Sequence, residues 1–238
     1  MSLTAAVLVV TSGRNELSDC LNSIEAQDYP VTTYVVTDAI IDFYEFIELK
    51  NKYKADNRHF CYWPTKIGGE GWEGRRLIAG CTSLINEDVL FVTQDDDWFK
   101  PNHVSSLMEI IESGHDWAYS LMSVYDKDGL FLFDDICECL GEEHVSYNTD
   151  TNFAPTGSIA MKTRIYCGLA VYAYNLKGYG PDRIFYDLAK KHYPNFKGSK
   201  LHTNCFRLGG NDGSVKKEFF DLGISMMKFK YGNKMPWQ

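Results

Sequence analysis

Residues 89–104 read VLFVTQDDDWFKPNHV. The apolar run Val89 to Val92 is what a strand buried on both faces requires. It continues through Thr93 and Gln94 and releases three adjacent acids, Asp95, Asp96 and Asp97. Carboxylates this close raise one another's pKa unless positive charge stands among them. Pro101 and Asn102 then open a helix whose apolar face is Val104, Leu107, Met108 and Ile111. The acids therefore stand where a buried strand leaves its sheet, and the segment asks for a cation.

The same alternation extends back to the start of the chain. Val7-Leu8-Val9-Val10 predicts a first buried strand, turning at Thr11-Ser12-Gly13. Leu17, Cys20, Leu21 and Ile24 follow at helical spacing. Tyr34 to Thr37 predicts a second strand ending at Asp38, an aromatic-rich helix runs from about Asp42 to Tyr53, and Phe60 to Trp63 predicts a third strand. After Gly68, Gly69 and Gly71 a helix is expected to start near Trp72 or Glu73. This βαβαβαβ order predicts an α/β fold with a mostly parallel Rossmann-like sheet and helices on both faces. Ligands of such sheets bind beyond the carboxyl ends of the strands. Thr11, Asp38 and Asp95 to Asp97 should therefore share one crevice.

The later sequence is less regular. Trp117 to Val124 and Leu130 to Phe133 predict two strands joined by Asp126-Lys127-Asp128-Gly129. A calcium loop is excluded there, because its twelfth position would be Cys137 where a bidentate Glu is needed. Gly157 to Met161 predicts a further strand, and Pro181 opens a helix carrying Ile184, Phe185, Leu188 and Ala189. From Lys197 the chain reads as a basic, glycine-rich tail containing FRLGGNDGS at 206–214.

The 238 residues fit one domain, and the net charge of -8 excludes a generic nucleic-acid binder while leaving room for one positive pocket. Seven scattered cysteines without a CxxC pair point to a reduced intracellular protein and away from zinc. No apolar run approaches the ~20 residues of a membrane span. The expectation is a cytoplasmic protein, at most peripheral to a membrane.

Oxygen donors favour Mg²⁺ or Mn²⁺, ions that use one or two carboxylates and complete their shell with substrate phosphates. The motif order around Asp95 to Asp97, with Trp98 and Pro101 following, resembles the metal-binding segment of family 2 glycosyltransferases of GT-A fold. VVTSGRNELSDCLNSIEAQDYP (9–30) resembles that family's opening strand, Thr/Ser-x-x-Arg turn and first helix. YVVTDA (34–39) stands at its base-binding aspartate, and GWEGRRLIAG (71–80) resembles its Arg-bearing segment. The match covers roughly residues 5–110 well and 150–215 loosely. Thr37 stands where the family often has a first Asp. Anchoring on Pro101 makes Asp96 the metal ligand with Asp95 on the ribose, while a literal Asp-x-Asp reading makes it Asp97.

The resemblance implies metal-assisted, inverting transfer of a sugar from a nucleotide-diphosphate donor to a glycan or other hydroxyl acceptor. Residues 1–110 would be the donor half and 111–238 the acceptor half of a single GT-A domain. Thr11, Ser12, Arg14, Asp38 and Asp95 would hold base and ribose, and Arg75, Arg76 and Arg207 the diphosphate. Asp96, with Asp97 and His202 as further candidates, would hold the ion. Asp182, in GYGPDRIFYDL (178–188), would be the general base, and NFAPTGSIAMK (152–162), with Gly157 and Ser158, would face the acceptor. Trp63, Trp72, Trp98 and Trp117 are candidate platforms for sugar rings. A Mg²⁺-dependent nucleotidyltransferase and a non-catalytic nucleotide-sugar-binding module are the alternatives.

Overall fold

The computed structural model describes residues 2–69, 71, 74–149, 151–175, 180–209 and 215–237. Its backbone is one nine-stranded sheet in the order β3-β2-β1-β4-β8-β6-β9-β5, with β7 paired to β6. The first strands are β1 (Ala5–Val10), β2 (Val31–Asp38), β3 (Arg58–Trp63) and β4 (Val89–Gln94), all mutually parallel. β5 is the two-residue strand Trp98–Phe99, followed by β6 (Trp117–Tyr125), β7 (Phe131–Asp134), β8 (Ile159–Lys162) and β9 (Phe196–Arg207). β8 runs antiparallel to both β4 and β6, and β9 runs parallel to β6. Strands β1 to β4, β6 and β9 thus share one direction, which is the expected mostly parallel sheet.

The helices are α1 (Leu17–Glu25), α2 (Phe43–Lys52), α3 (Arg75–Cys81), α4 (His103–Glu112), α5 (Thr163–Ala173), α6 (Pro181–His192) and α7 (Lys217–Tyr231). Every residue of β1 is buried, because alternate side chains enter two cores. Ala5, Val7 and Val9 pack with Leu17, Leu21 and Ile24 of α1 and Leu107 and Met108 of α4. Ala6, Leu8 and Val10 pack with Leu77 of α3, Ile165 of α5 and Phe185 of α6. α2 starts with a reciprocal cap: Asp42 accepts from the N–H groups of Tyr44 and Glu45, and Glu45 accepts from that of Asp42.

Several expectations are corrected. The helix expected from Trp72 or Glu73, both outside the described residues, is seen from Arg75, with Gly74 as its N-cap. Gly157 and Ser158 form a 3₁₀ turn, and the strand starts only at Ile159. The supposed tail contains the twelve-residue β9 and helix α7; of FRLGGNDGS, positions 210–214 lie outside the described residues. The Asp126 turn, by contrast, is the hairpin that the sequence leads one to expect, with β6 and β7 antiparallel and Asp126 Oδ1 accepting from the N–H groups of Asp128 and Leu130 at 2.9 and 2.8 Å.

Candidate active site

Register places the first two groups. Val10 of β1 is paired with Gln94 of β4, so the next residues, Thr11 and Asp95, leave the sheet side by side. Thr11 Oγ1 donates to Asp95 Oδ2 at 2.7 Å, and the Ser12 N–H donates to the same oxygen at 3.0 Å. Arg14 returns over both acids: its Nη1 is 2.7 Å from Asp96 Oδ2 and 3.8 Å from Asp95 Oδ1. The positive charge that the sequence demands is therefore supplied in part by the chain itself. Burial pushes the pKa of Asp95 up, against the pull of the Thr11 hydroxyl and the Arg14 guanidinium.

A cavity of about 730 Å³ lies over these strand ends. Thr11, Ser12, Arg14, Arg75, Asp95, Asp96 and Asp182 all line it. Residues from β1, β4, α3 and α6 thus converge, although they span most of the chain. Arg75 is the first residue of α3 and is buried. The turn before it needs glycine: Gly74 has φ +74°, and a Cβ there would meet Val10 Cγ1 at 2.5 Å.

Asp182 sits in the first turn of α6, after Gly180 (φ +100°) and Pro181. Its Oδ1 accepts from Thr156 Oγ1 at 3.1 Å. The Thr156 hydroxyl is 3.2 Å from that of Tyr174, which is 3.2 Å from that of Tyr166. This inward row of hydroxyls fixes the carboxylate's orientation. Burial raises the Asp182 pKa, and the nearby charge of Arg75 draws it back. A carboxylate raised in this way is a better proton acceptor than one in water.

The other expected residues stand outside the lining. Asp38 is fully buried. Its Oδ1 accepts from the Ile40 N–H at 3.0 Å, and its Oδ2 from the N–H groups of Ile67, at 2.7 Å, and Gly68. It shapes the cavity wall, since Ile40 and Gly68 both line it. Arg76 is exposed on the far side of α3. Asp97 turns from the cavity and accepts from the Arg207 N–H at 3.0 Å. Burial and the Asp96 charge push its pKa well up. The guanidinium of Arg207 donates to the Asp96 carbonyl (3.1 Å), the Lys127 carbonyl (3.1 Å) and Asp19 Oδ2 (2.8 Å), and it stacks on Trp98 at 4.8 Å. Arg207 clamps the acidic loop from behind. His202 Nε2 lies 3.4 Å from the Asp135 carbonyl, beside Leu121 rather than the acids.

Trp117 is core, stacked on Phe196 at 4.1 Å, and Trp98 packs on Tyr125 at 4.6 Å. Trp63 packs against the core and Trp72 lies outside the described residues. Among the described residues, the aromatic rings that line the cavity are Phe153, Phe206 and Phe219. Gly157 approaches Asn204 rather than open space: an added Cβ would sit 3.1 Å from its Oδ1.

Sequence reading missed Glu138 and Arg183, which also line the cavity. Asp135 accepts from the N–H groups of Cys137, Glu138 and Cys139, and so aims Glu138 inward. Glu138 pairs with Arg183 and accepts from the Ser146 hydroxyl, while Arg183 lies 4.5 Å over the Phe153 ring. Only the neighbouring position of Arg183, next to Asp182, hinted at this pair.

Among the described residues no three His, Cys, Asp or Glu side chains form a closed metal cage. The donor set fits an ion of a different kind. Asp95 Oδ1 and Asp96 Oδ1 accept no hydrogen bond from the described residues, and both side chains line the cavity. Two carboxylates with the remaining positions open suit Mg²⁺ or Mn²⁺ completed by phosphate oxygens.

No protein-family model and no curated protein sequence matches the chain. Solved structures do. TarS 1-349 of S. aureus in complex with UDP superposes with a TM-score of 0.60 at 17% identity, over 87% of this chain and 61% of that one. The same protein in complex with UDP-GlcNAc gives 0.59 at 16% identity, over 97% and 67%. A longer TarS structure gives 0.57 at 15% identity, over 97% of this chain and 44% of its own length. This chain therefore spans less than two thirds of the first of these proteins. At such identities the likeness is one of fold, and the fold expected from the sequence, a mostly parallel α/β sheet with helices on both faces, is the one these structures share with it.

Proposed function

We propose that the chain transfers a sugar from a nucleotide diphosphate to an acceptor hydroxyl, with inversion and with help from Mn²⁺ or Mg²⁺. The observation that carries this reading is the single cavity that joins Asp95 and Asp96, at a strand end, to Asp182 on α6. The fold likeness to structures holding UDP and UDP-GlcNAc supports a nucleotide-sugar donor and makes uridine nucleotides the first to try.

In this reading Thr11, Ser12 and Asp95 hold the nucleoside at the ends of β1 and β4. Arg14 and Arg75 face the diphosphate, and their charge stabilises the departing group. A cation held by Asp96 and Asp95 would neutralise the leaving diphosphate. Asp182 accepts the proton of the acceptor hydroxyl as its oxygen bonds to the anomeric carbon. The carbon–phosphate-oxygen bond breaks on the opposite face, and the nucleoside diphosphate leaves with that electron pair. Phe153, Phe206 and Phe219 offer apolar faces for the sugar and acceptor rings.

The test incubates the protein with UDP-GlcNAc and other nucleotide sugars, with Mn²⁺ and a panel of hydroxyl acceptors, and follows nucleoside diphosphate release. Release that depends on acceptor and is lost in Asp182→Asn supports the proposal. Thermal stabilisation by a donor without turnover would instead favour the binding module, and pyrophosphate release in a parallel assay with a nucleoside triphosphate and a sugar 1-phosphate would favour the nucleotidyltransferase. No described helix is long and apolar enough to cross a membrane.

A further inference from the structure

Helix α7 has two apolar faces, and only one is used. Phe220, Gly223 and Met227 pack into the core. Leu222, Met226 and Phe229 point outward and are 58%, 48% and 95% exposed. At 3.6 residues per turn these three fall within about 60° of arc, roughly opposite the packed face. Lys230 stands about 40° beyond the stripe on one side and Lys228 about 100° beyond it on the other, both exposed. From Leu222 to the end of the sequence there are three lysines (Lys228, Lys230 and Lys234) and no acid, in a chain whose net charge is -8. The acids of α7, Glu218 and Asp221, lie in its first turns, where Lys217 pairs with Asp221 at 2.7 Å.

The stripe also borders a hollow. A cavity of about 540 Å³ lies between α7 and the segment His144 to Tyr147, and Met226, Met227, Phe229 and Lys230 line it. This second cavity shares no lining residue with the candidate active site. It is mainly apolar in its side chains, with an ammonium beside it.

We infer that α7 docks on an anionic lipid surface, with Phe229, Met226 and Leu222 inserted among acyl chains and Lys228, Lys230 and Lys234 at the headgroups. Three side chains are too few for the ~800 Å² per partner that a stable protein interface needs. A bilayer asks only for an apolar stripe flanked by cations, the pattern of a helix lying in the membrane interface. Lysines suit this place because their stems stay in apolar surroundings while the ammonium reaches the phosphates. The adjoining cavity gives room for the end of an acyl chain. This inference does not depend on the proposed chemistry.

The experiment is co-sedimentation of the full 238-residue chain with phosphatidylcholine vesicles, with and without phosphatidylglycerol. Binding should rise about tenfold or more when phosphatidylglycerol is present and should fall as salt is added. The double variant Met226→Ser/Phe229→Ser should lose about tenfold of that binding. The variant Lys228→Gln/Lys230→Gln/Lys234→Gln should lose the preference for phosphatidylglycerol. All five side chains but none of the core is touched, and unchanged circular dichroism confirms folding. The inference is overturned if neither vesicle binds, if both bind equally, or if the variants bind as the parent does. It is likewise overturned if light scattering shows a dimer that Phe229→Ser dissolves, because the stripe would then face a second copy of the chain.

Discussion

Arg14 bridges the two acids of the cavity, with Nη1 2.7 Å from Asp96 Oδ2 and 3.8 Å from Asp95 Oδ1. A divalent ion held by the open oxygens Asp95 Oδ1 and Asp96 Oδ1 would stand close to the Arg14 guanidinium, and the two like charges repel. An ion arriving alone bears that repulsion, whereas one arriving with a diphosphate gives Arg14 new anionic oxygens to face. Arg14→Gln should therefore bind Mn²⁺ alone about 2- to 5-fold more tightly, the worth of a partly exposed ion pair. The same variant should bind UDP less well. Electron paramagnetic resonance of free Mn²⁺ measures the first effect and calorimetry the second. Weaker Mn²⁺ binding in the variant would make Arg14 an organiser of the acids rather than a competitor.

The two ways of reading the acidic triplet separate on Asp96 and Asp97. Asp96 lines the cavity, and Asp97 turns back to the Arg207 N–H. Asp96→Asn should lose Mn²⁺ binding, and Asp97→Asn should keep it. Asp97→Asn should also melt higher at neutral pH. The folded-state pKa of Asp97 is raised by burial and by Asp96, so its charge costs stability as pH climbs above the ordinary carboxylate range. Asparagine keeps an acceptor for Arg207 without that charge. A gain of about 2–4 °C is expected near pH 7, shrinking toward zero as the pH falls below the carboxylate range. Calorimetric scans across pH measure it, and a gain independent of pH would remove charge as the cause.

For Asp182 the expected signature is kinetic. Asp182→Asn should lower kcat by about 10²- to 10⁴-fold while leaving donor affinity close to that of the parent. A base must be unprotonated to act, so activity should fall on the acid side through the pKa of Asp182, which burial has raised. Arg75 draws that pKa down, and Arg75→Gln should therefore shift the acid limb to higher pH. A pH–rate profile of both proteins tests this; an unmoved limb would assign it to another group.

Asp38 makes a structural prediction. Its carboxylate receives the N–H groups of Ile40, Ile67 and Gly68 in a fully buried place. Asp38→Ala leaves those donors without an acceptor and should cost about 2–4 kcal/mol, read by urea denaturation. Donor KM should rise as well, since the wall at Gly68 loosens. A loss confined to KM, with stability intact, would mean that Asp38 touches the nucleotide directly.

What was legible in the sequence follows from the physics of burial. A strand covered on both faces must be continuously apolar, so β1 and β4 announced themselves, and their shared register carried Thr11 and Asp95 along. β9 did not, because its first half is partly exposed and carries Lys197 and Lys200 among small polar residues. A strand of that composition looks like a solvated tail until its partner β6 is known. Arg207 was singled out for its charge, but its guanidinium donates to two carbonyls and to Asp19, which no periodicity reveals. The tryptophans carried two readings, sugar platform or core packing, for a related reason. Ring size marks a residue that buries much surface without saying whether the neighbour is Phe196 or a sugar. Glu138 and Arg183 meet through a loop 45 positions away in sequence, and nothing local encodes that contact.

The clamp made by Arg207 has a consequence for synthesis. Every candidate for gripping nucleotide or ion at the strand ends is translated early, yet the acidic loop is fastened by a side chain encoded near the far end of the chain. A nascent polypeptide that has cleared the ribosome as far as α4 carries all three aspartates with nothing behind them, and a fragment cut before position 207 should behave likewise. The rear support of the acidic loop is complete only once β9 lies beside β6.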